Sequence, residues 1–164
     1  MGLRLAKVVL VASLAAYALI VAYGNLVDYG SNYAFVGHVL SMDTTFPGNA
    51  LMGRAITDER IWRAAYAAII AAEGLSGLLL AAGALAMLAR LRAPAAVFEC
   101  AKGLVYMGAA LAFLVWFFGF MVVAGEYFAM WQSREWNGQD AAFRIYMAVL
   151  GVLILVALPE RDPA

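Results

Sequence analysis

Three ionisable side chains, Glu73, Glu126 and Arg144, stand inside long apolar runs of this sequence. A charge at that position is costly in hydrocarbon and by default points to function. On a helix, the eleven residues from Trp62 to Glu73 cover roughly 16 Å of axis, which puts Glu73 near the middle of a bilayer. Its helical face reads Trp62, Tyr66, Ile69, Glu73, Ser76 and Leu80. Glu126 precedes Trp131 by about one and a half turns, a shallow position. Arg144 follows Asp140 by one turn, close enough to pair with it. Two arrangements fit. In one, Arg144 pairs with Glu126 or Asp140, and Glu73 is a protonated carboxyl bonded to a serine or tyrosine, as buried carboxyls tend to be. In the other, the three residues form a polar track that binds an ion, a quinone headgroup or a small polar ligand.

His38 and Asp43 make a second candidate pair. A single histidine cannot supply bis-histidine haem ligation, and no His-x-x-x-His or Glu-x-x-His pair is present for zinc or di-iron. A mixed oxygen and nitrogen site of His38, Asp43 and Glu126 remains open, as does a plain hydrogen-bonded histidine. Trp116, Phe117, Phe118 and Phe120 cover more than one helical face, which suits lipid contact, packing or a pocket for a flat ring. Trp131 joins them as a ligand-facing candidate. No nucleophile–base pair, phosphate-binding glycine loop or dinucleotide fingerprint occurs, so the residues carry no positive sign of an enzyme, and no cofactor is assigned. Quinone and metal have no support beyond these residues.

The elements that must position these groups are membrane helices. Of 164 residues, 66% are hydrophobic and 13% charged, against roughly 45–50% and about 25% in soluble domains. A water-soluble core of this size could not bury so much apolar surface. Lys and Arg total 11 and Asp and Glu 11, a balance that gives no sign of nucleic-acid binding. The lone Cys100 excludes an internal disulfide and a cysteine-based cluster.

The expected fold is all-α: a polytopic membrane protein with four transmembrane helices and an ordered helical extracytoplasmic loop between helices 1 and 2, forming one domain over 1–164. Helix 1 is placed at about 3–27. Its basic start and the small residues Ala22 and Gly24 also suit a secretory leader, but its apolar run is long enough to span. The outer cap covers 28–57, with a short helix capped by Ser31 or Asn32 and running to about Ser41, a turn at Pro47-Gly48-Asn49, and a second amphipathic piece from Ala50 to Ile56. Helix 2 runs from about 58 to 92, started by Thr57-Asp58-Glu59 and rich in Ala, Gly and Ser, which let helices approach closely in lipid. Pro94 separates it from helix 3, about 95–131, and helix 4 covers about 140–158.

Arg4, Lys7, Arg90, Arg92, Lys102 and Arg161 flank one side, and Arg54, Arg60, Arg63 and Arg134 the other. The bias favours both termini in the cytoplasm, with the cap and the Trp131–Trp136 linker outside.

Two stretches carry a family resemblance. The first is Asn25-Leu-Val-Asp-Tyr-Gly-Ser-Asn-Tyr-Ala-Phe-Val-Gly-His-Val-Leu-Ser-Met-Asp-Thr-Thr-Phe-Pro-Gly-Asn49. The second is Trp116-Phe-Phe-Gly-Phe-Met-Val-Val-Ala-Gly-Glu-Tyr-Phe-Ala-Met-Trp-Gln-Ser133, followed by Trp136-Asn-Gly-Gln139. The chain resembles, over nearly its whole length, the bacterial predicted small integral membrane proteins known as domain of unknown function 2165. The resemblance implies a four-span protein of the bacterial inner membrane and brings no activity with it. The function expected is a non-catalytic accessory or interaction subunit of a membrane complex, with a membrane-protein partner or self-association through the small-residue face of helix 2. The alternative is a transporter or small-ligand binder that uses Glu73, Glu126 and Arg144.

Overall fold

Hydrocarbon offers a backbone no hydrogen-bond partner, so the apolar runs must satisfy their own N–H and C=O groups, and they do so as helices. The computed structural model describes residues 1–162. In chain order it contains α1 (Gly2–Val27), α2 (Tyr29–Ser41), a single 3-10 turn (Met52–Arg54), α3 (Glu59–Ala89), α4 (Ala95–Cys100) and α5 (Gly103–Phe113). A π-helical segment (Leu114–Tyr127), a second 3-10 turn (Met130–Gln132) and α6 (Gln139–Ala157) complete it. No strand occurs among the described residues. Four stretches are long and apolar enough to cross a membrane: α1, α3, the Ala95–Tyr127 run and α6.

α1 buries Arg4, Val8, Val11, Ala15, Ala18, Ala22 and Asn25, alternating steps of four and three that make one seam. Its other faces carry Leu5, Val9, Ile20 and Leu26 in the open, as expected where lipid is the solvent. α3 answers with Tyr66, Glu73, Gly77, Leu80, Ala84 and Met87, and packs on both α1 and α5. The glycines set how close these helices come. A Cβ on Gly77 would lie 2.7 Å from Leu19 Cγ and 3.0 Å from the Leu19 backbone nitrogen. One on Gly83 would lie 2.6 Å from Val105 Cγ2, and one on Gly108 would meet Leu80 at 2.9 Å. Dispersion between backbones at this range is a main source of association energy in lipid.

Above the contact of Ser76 with Gly108, where the serine hydroxyl donates to the glycine carbonyl at 2.9 Å, the two helices part. The chain beyond Phe113 winds as a π-helix and packs more on α6 than on α3. It closes with the Phe128 N–H bonded to the Val123 carbonyl, five residues back. π-helical winding of this length is rare and tends to accompany functional sites. The span placed at about 95–131 changes character in three places. It breaks between Cys100 and Gly103, changes winding at Leu114, and ends at Tyr127 ahead of Ala129 at φ 52°.

The cap also differs in detail. α2 starts at Tyr29, before Ser31, and Asn32 caps nothing; its amide turns back to Asn25. The segment Ala50–Ile56, expected as a second amphipathic piece, holds only the first 3-10 turn. Met42, at φ 56°, ends α2 in the left-handed region. Asp58 caps α3 by accepting the Arg60 N–H at 2.9 Å. Trp62 then pins the cap to α3: its indole N–H donates to the Ile56 carbonyl at 2.7 Å and its ring lies against Gly37.

Candidate functional site

Where α3 and the π segment diverge, they leave a chamber of about 470 Å³, closed at its sides by α1 and roofed by α2. That volume lies within the range of small-molecule sites, roughly 300–1,000 Å³. The walls are apolar: Val21 from α1, Phe35 and Val39 from α2, Ile69 from α3, and Trp116 and Phe120 from the π segment. Ala68 of α3 and Leu114 of the π segment belong to the lining and are also exposed.

One polar group system breaks this apolar surface. Glu73, near the middle of α3 and 2% exposed, accepts a hydrogen bond from the Asn25 amide at 2.7 Å through Oε2. The Asn25 side-chain oxygen in turn accepts from the Asn32 amide at 2.7 Å, and its backbone carbonyl accepts from the Tyr66 hydroxyl at 3.0 Å. Three helices thus converge on one carboxyl. A buried carboxyl held by a relay of amides is costly to assemble in an apolar surrounding.

The other candidates lie elsewhere. Glu126 is exposed on the π segment. Arg144 is exposed on α6, its Nε donating to its own helix at the Asp140 carbonyl, 3.2 Å away. The expected pairing of Arg144 with a carboxylate is absent among the described residues, and the polar track of Glu73, Glu126 and Arg144 is not assembled. Arg144 instead borders a second cavity of about 300 Å³ with Tyr17 and Ile145, and Trp116 and Phe120 form the partition between the two cavities.

His38 Nδ1 lies 2.8 Å from Asp43 Oδ2, and the imidazole stacks on Trp136 with ring centres 4.4 Å apart. Glu126 does not join them, and among the described residues no three His, Cys, Asp or Glu side chains come together as a metal site. Trp131 is exposed and meets Phe46 edge-on at 5.8 Å.

Sequence reasoning missed Asn25, Asn32 and Tyr66 as members of the site. The signal for the two amides is weak: Asn25 is a single polar residue at the end of an apolar run, and Asn32, seven positions on, stands among the polar residues of the cap. It also missed a cluster at the opposite end. There Glu160 binds Lys7 at 2.5 Å, Lys102 at 2.8 Å and Arg4 at 3.3 Å. The Arg4 guanidinium donates further to the carbonyls of Leu91, Ala93 and Arg161. Burial alone would raise the Glu160 carboxyl, but hydrogen bonds and charge from Lys102 and Lys7 outweigh it and hold the group below its usual range.

Four spans, a lipid-facing surface and an internal chamber define an integral membrane protein of the helical-bundle class. The chain belongs to the family of predicted small integral membrane proteins (DUF2165), whose model matches residues 3–159. No curated protein and no solved structure matches it.

Proposed function

We propose that this protein binds a mainly apolar small molecule inside the bilayer, in the chamber between α3 and the π segment, and fixes the molecule's polar end on Glu73. The observation that carries the reading is a buried carboxyl on the wall of an apolar space of ligand size, part of whose lining is exposed. A ligand with one polar end and an apolar body would replace lipid or void at the walls and satisfy Glu73 at the same time. The chain sits in the bacterial inner membrane with both termini cytoplasmic, so α2 and the 28–57 segment form an extracytoplasmic lid over the chamber. The clustering of Arg4, Lys7 and Lys102 at the opposite end supports that orientation.

Native mass spectrometry of the protein in lipid nanodiscs tests the binding reading. A bound small molecule should appear in the wild type and disappear in Gly119→Trp, which fills the chamber. Equal spectra from both proteins, with no added mass in either, would end the proposal.

A second reading, an accessory subunit, draws on the outer face of α3. Gly77 and Gly83 are covered by α1 and α5, but Ala64, Ala67, Ala68 and Ala71 stay exposed and could receive another membrane helix. Cross-linking from Ala64→Cys and Ala71→Cys in native membranes would reveal such a neighbour.

A further inference from the structure

We infer that the chamber selects a lipophilic organic cation: an amine, quaternary ammonium or phosphonium centre carried by aryl or alkyl groups. The inference rests on the binding reading above and adds the sign of the ligand's charge. Three features of the lining support it.

The first is charge. Glu73 is the only ionisable acid or base in the lining apart from the Tyr66 phenol; no Lys, Arg or His borders the space. Its polar partner is an uncharged amide, Asn25. A carboxyl with no counter-charge beside it is the one group in the lining able to take the sign opposite to a cation, and in that form it repels an anion.

The second is hydrogen-bond sense. One N–H of the Asn32 amide goes to Asn25, one N–H of the Asn25 amide to Glu73, and the Tyr66 hydroxyl to the Asn25 carbonyl. The Tyr66 hydroxyl is thereby committed within the protein, while each amide keeps one further N–H and the Trp116 indole N–H also borders the space. Glu73 uses Oε2 for Asn25 and keeps a second oxygen as an acceptor. A ligand that must accept, such as a quinone or a phosphate, finds only neutral donors here, whereas a ligand that is positive or donates finds Glu73.

The third is the wall itself. Phe35, Tyr66, Trp116, Phe120 and Phe128 put five aromatic rings around one carboxylate. Ring faces attract cations, most strongly where water is excluded, and bulky ammonium and phosphonium ions shed their hydration readily enough to use them. A small metal ion, by contrast, needs several oxygen donors that this lining lacks.

Three near-isosteric probes separate charge from shape: tetraphenylphosphonium, the uncharged tetraphenylsilane and the anion tetraphenylborate. Each is titrated into nanodiscs holding the full chain, with empty nanodiscs subtracted. The cation should bind at least about tenfold more tightly than the silane, and the borate more weakly than either. Glu73→Gln, which keeps a hydrogen-bonding partner for Asn25, should lose about tenfold or more in cation affinity with silane binding unchanged. Glu73→Asp should retain the preference for the cation. Silane binding in Glu73→Gln also reports that the chamber is intact. If silane or borate binds as tightly as the cation, the charge inference is wrong while the chamber reading survives. If no probe exceeds empty nanodiscs and Gly119→Trp changes nothing, both fall together.

Discussion

The carboxylate of Glu160 lies 2.5 Å from the ammonium of Lys7, across 153 positions of sequence. It ties the chain just beyond α6 to the first turns of α1. Lys102, from the junction of α4 and α5, reaches the same oxygen at 2.8 Å and also binds Glu99 and the Leu158 carbonyl. One carboxylate thus gathers three helices at the end of the bundle opposite the chamber. Lys7 and Lys102 are fully buried, so loss of Glu160 leaves Lys7 without a carboxylate, while Lys102 keeps Glu99. Glu160→Ala should destabilise the bundle by about 3 kcal/mol, the usual cost of orphaning a buried charge. Thermal denaturation in detergent checks the prediction, and a shift no larger than that of Asp162→Ala would contradict it.

The same group sets an acid limit. The ordinary carboxyl value is 4.5, and in the folded protein Glu160 lies below it. A depressed folded value means that the native state holds the charged form more tightly than the unfolded chain does. Its contribution is therefore fully present above 4.5 and drains away as the pH falls through the folded value. Wild type should lose thermal stability on acidification below that point more steeply than Glu160→Gln, which has no carboxyl there to protonate. Parallel slopes for the two proteins would remove Glu160 from the acid response.

The close seams give a prediction of shape alone. Gly77→Val places carbons inside the contact distance of Leu19, including its backbone nitrogen at 3.0 Å, where only a shift of α1 brings relief. Overpacking of this kind costs about 1–3 kcal/mol. Gly151→Ala on α6 meets nothing within 4 Å and should be neutral or gain about 0.5–1 kcal/mol from helix propensity. Side-by-side melting curves of the two variants decide the matter; similar behaviour would mean that the α1–α3 approach is looser than described.

What the sequence could and could not disclose follows from where each signal resides. The helices were legible because their cause is local: apolar length, Asp58 at a start, Pro94 and Pro159 at stops. The change to π winding at Leu114 was not, since the run from Gly103 to Gly125 is apolar on every face and carries no periodicity to read. Glu73 stood out as a carboxyl within an apolar run. Its partner Asn25 did not, because it lies 48 positions away on another helix and only the packing of α1 on α3 joins them. Arg4, Lys7 and Lys102 read as markers of orientation. Their second role, as a socket for Glu160, depends on where the chain after Pro159 turns.

The clasp between the cap and the 128–138 linker should open with small changes. The Thr44 hydroxyl donates to the Ser133 oxygen at 2.8 Å, and that oxygen also accepts the Trp136 N–H at 2.9 Å. Ser133 is buried, so Ser133→Ala leaves one backbone donor and one hydroxyl unpaired at a cost of about 1–3 kcal/mol. The loss should be local. Hydrogen exchange should quicken in residues 42–57 and 128–138 while the centres of α1 and α3 stay protected. Unchanged exchange in both segments would show that packing of Met42 and Met130, rather than this hydroxyl pair, holds the clasp.

Asn25 offers the last test, because it couples three helices through one side chain. Asn25→Leu removes the amide that donates to Glu73 and the oxygen that receives Asn32. Glu73 is then a buried carboxyl without its partner, and stability should drop by about 1–3 kcal/mol. Glu73→Leu alone leaves the Asn25 amide unsatisfied and should also destabilise. With both replaced, neither orphan remains, and the apolar pair suits its surroundings. The double variant should therefore lie well above the sum of the single losses, with a coupling energy of about 1 kcal/mol or more. Strict additivity would mean that the two side chains do not act as a pair, and the relay from α2 through α1 to α3 would have no energetic standing.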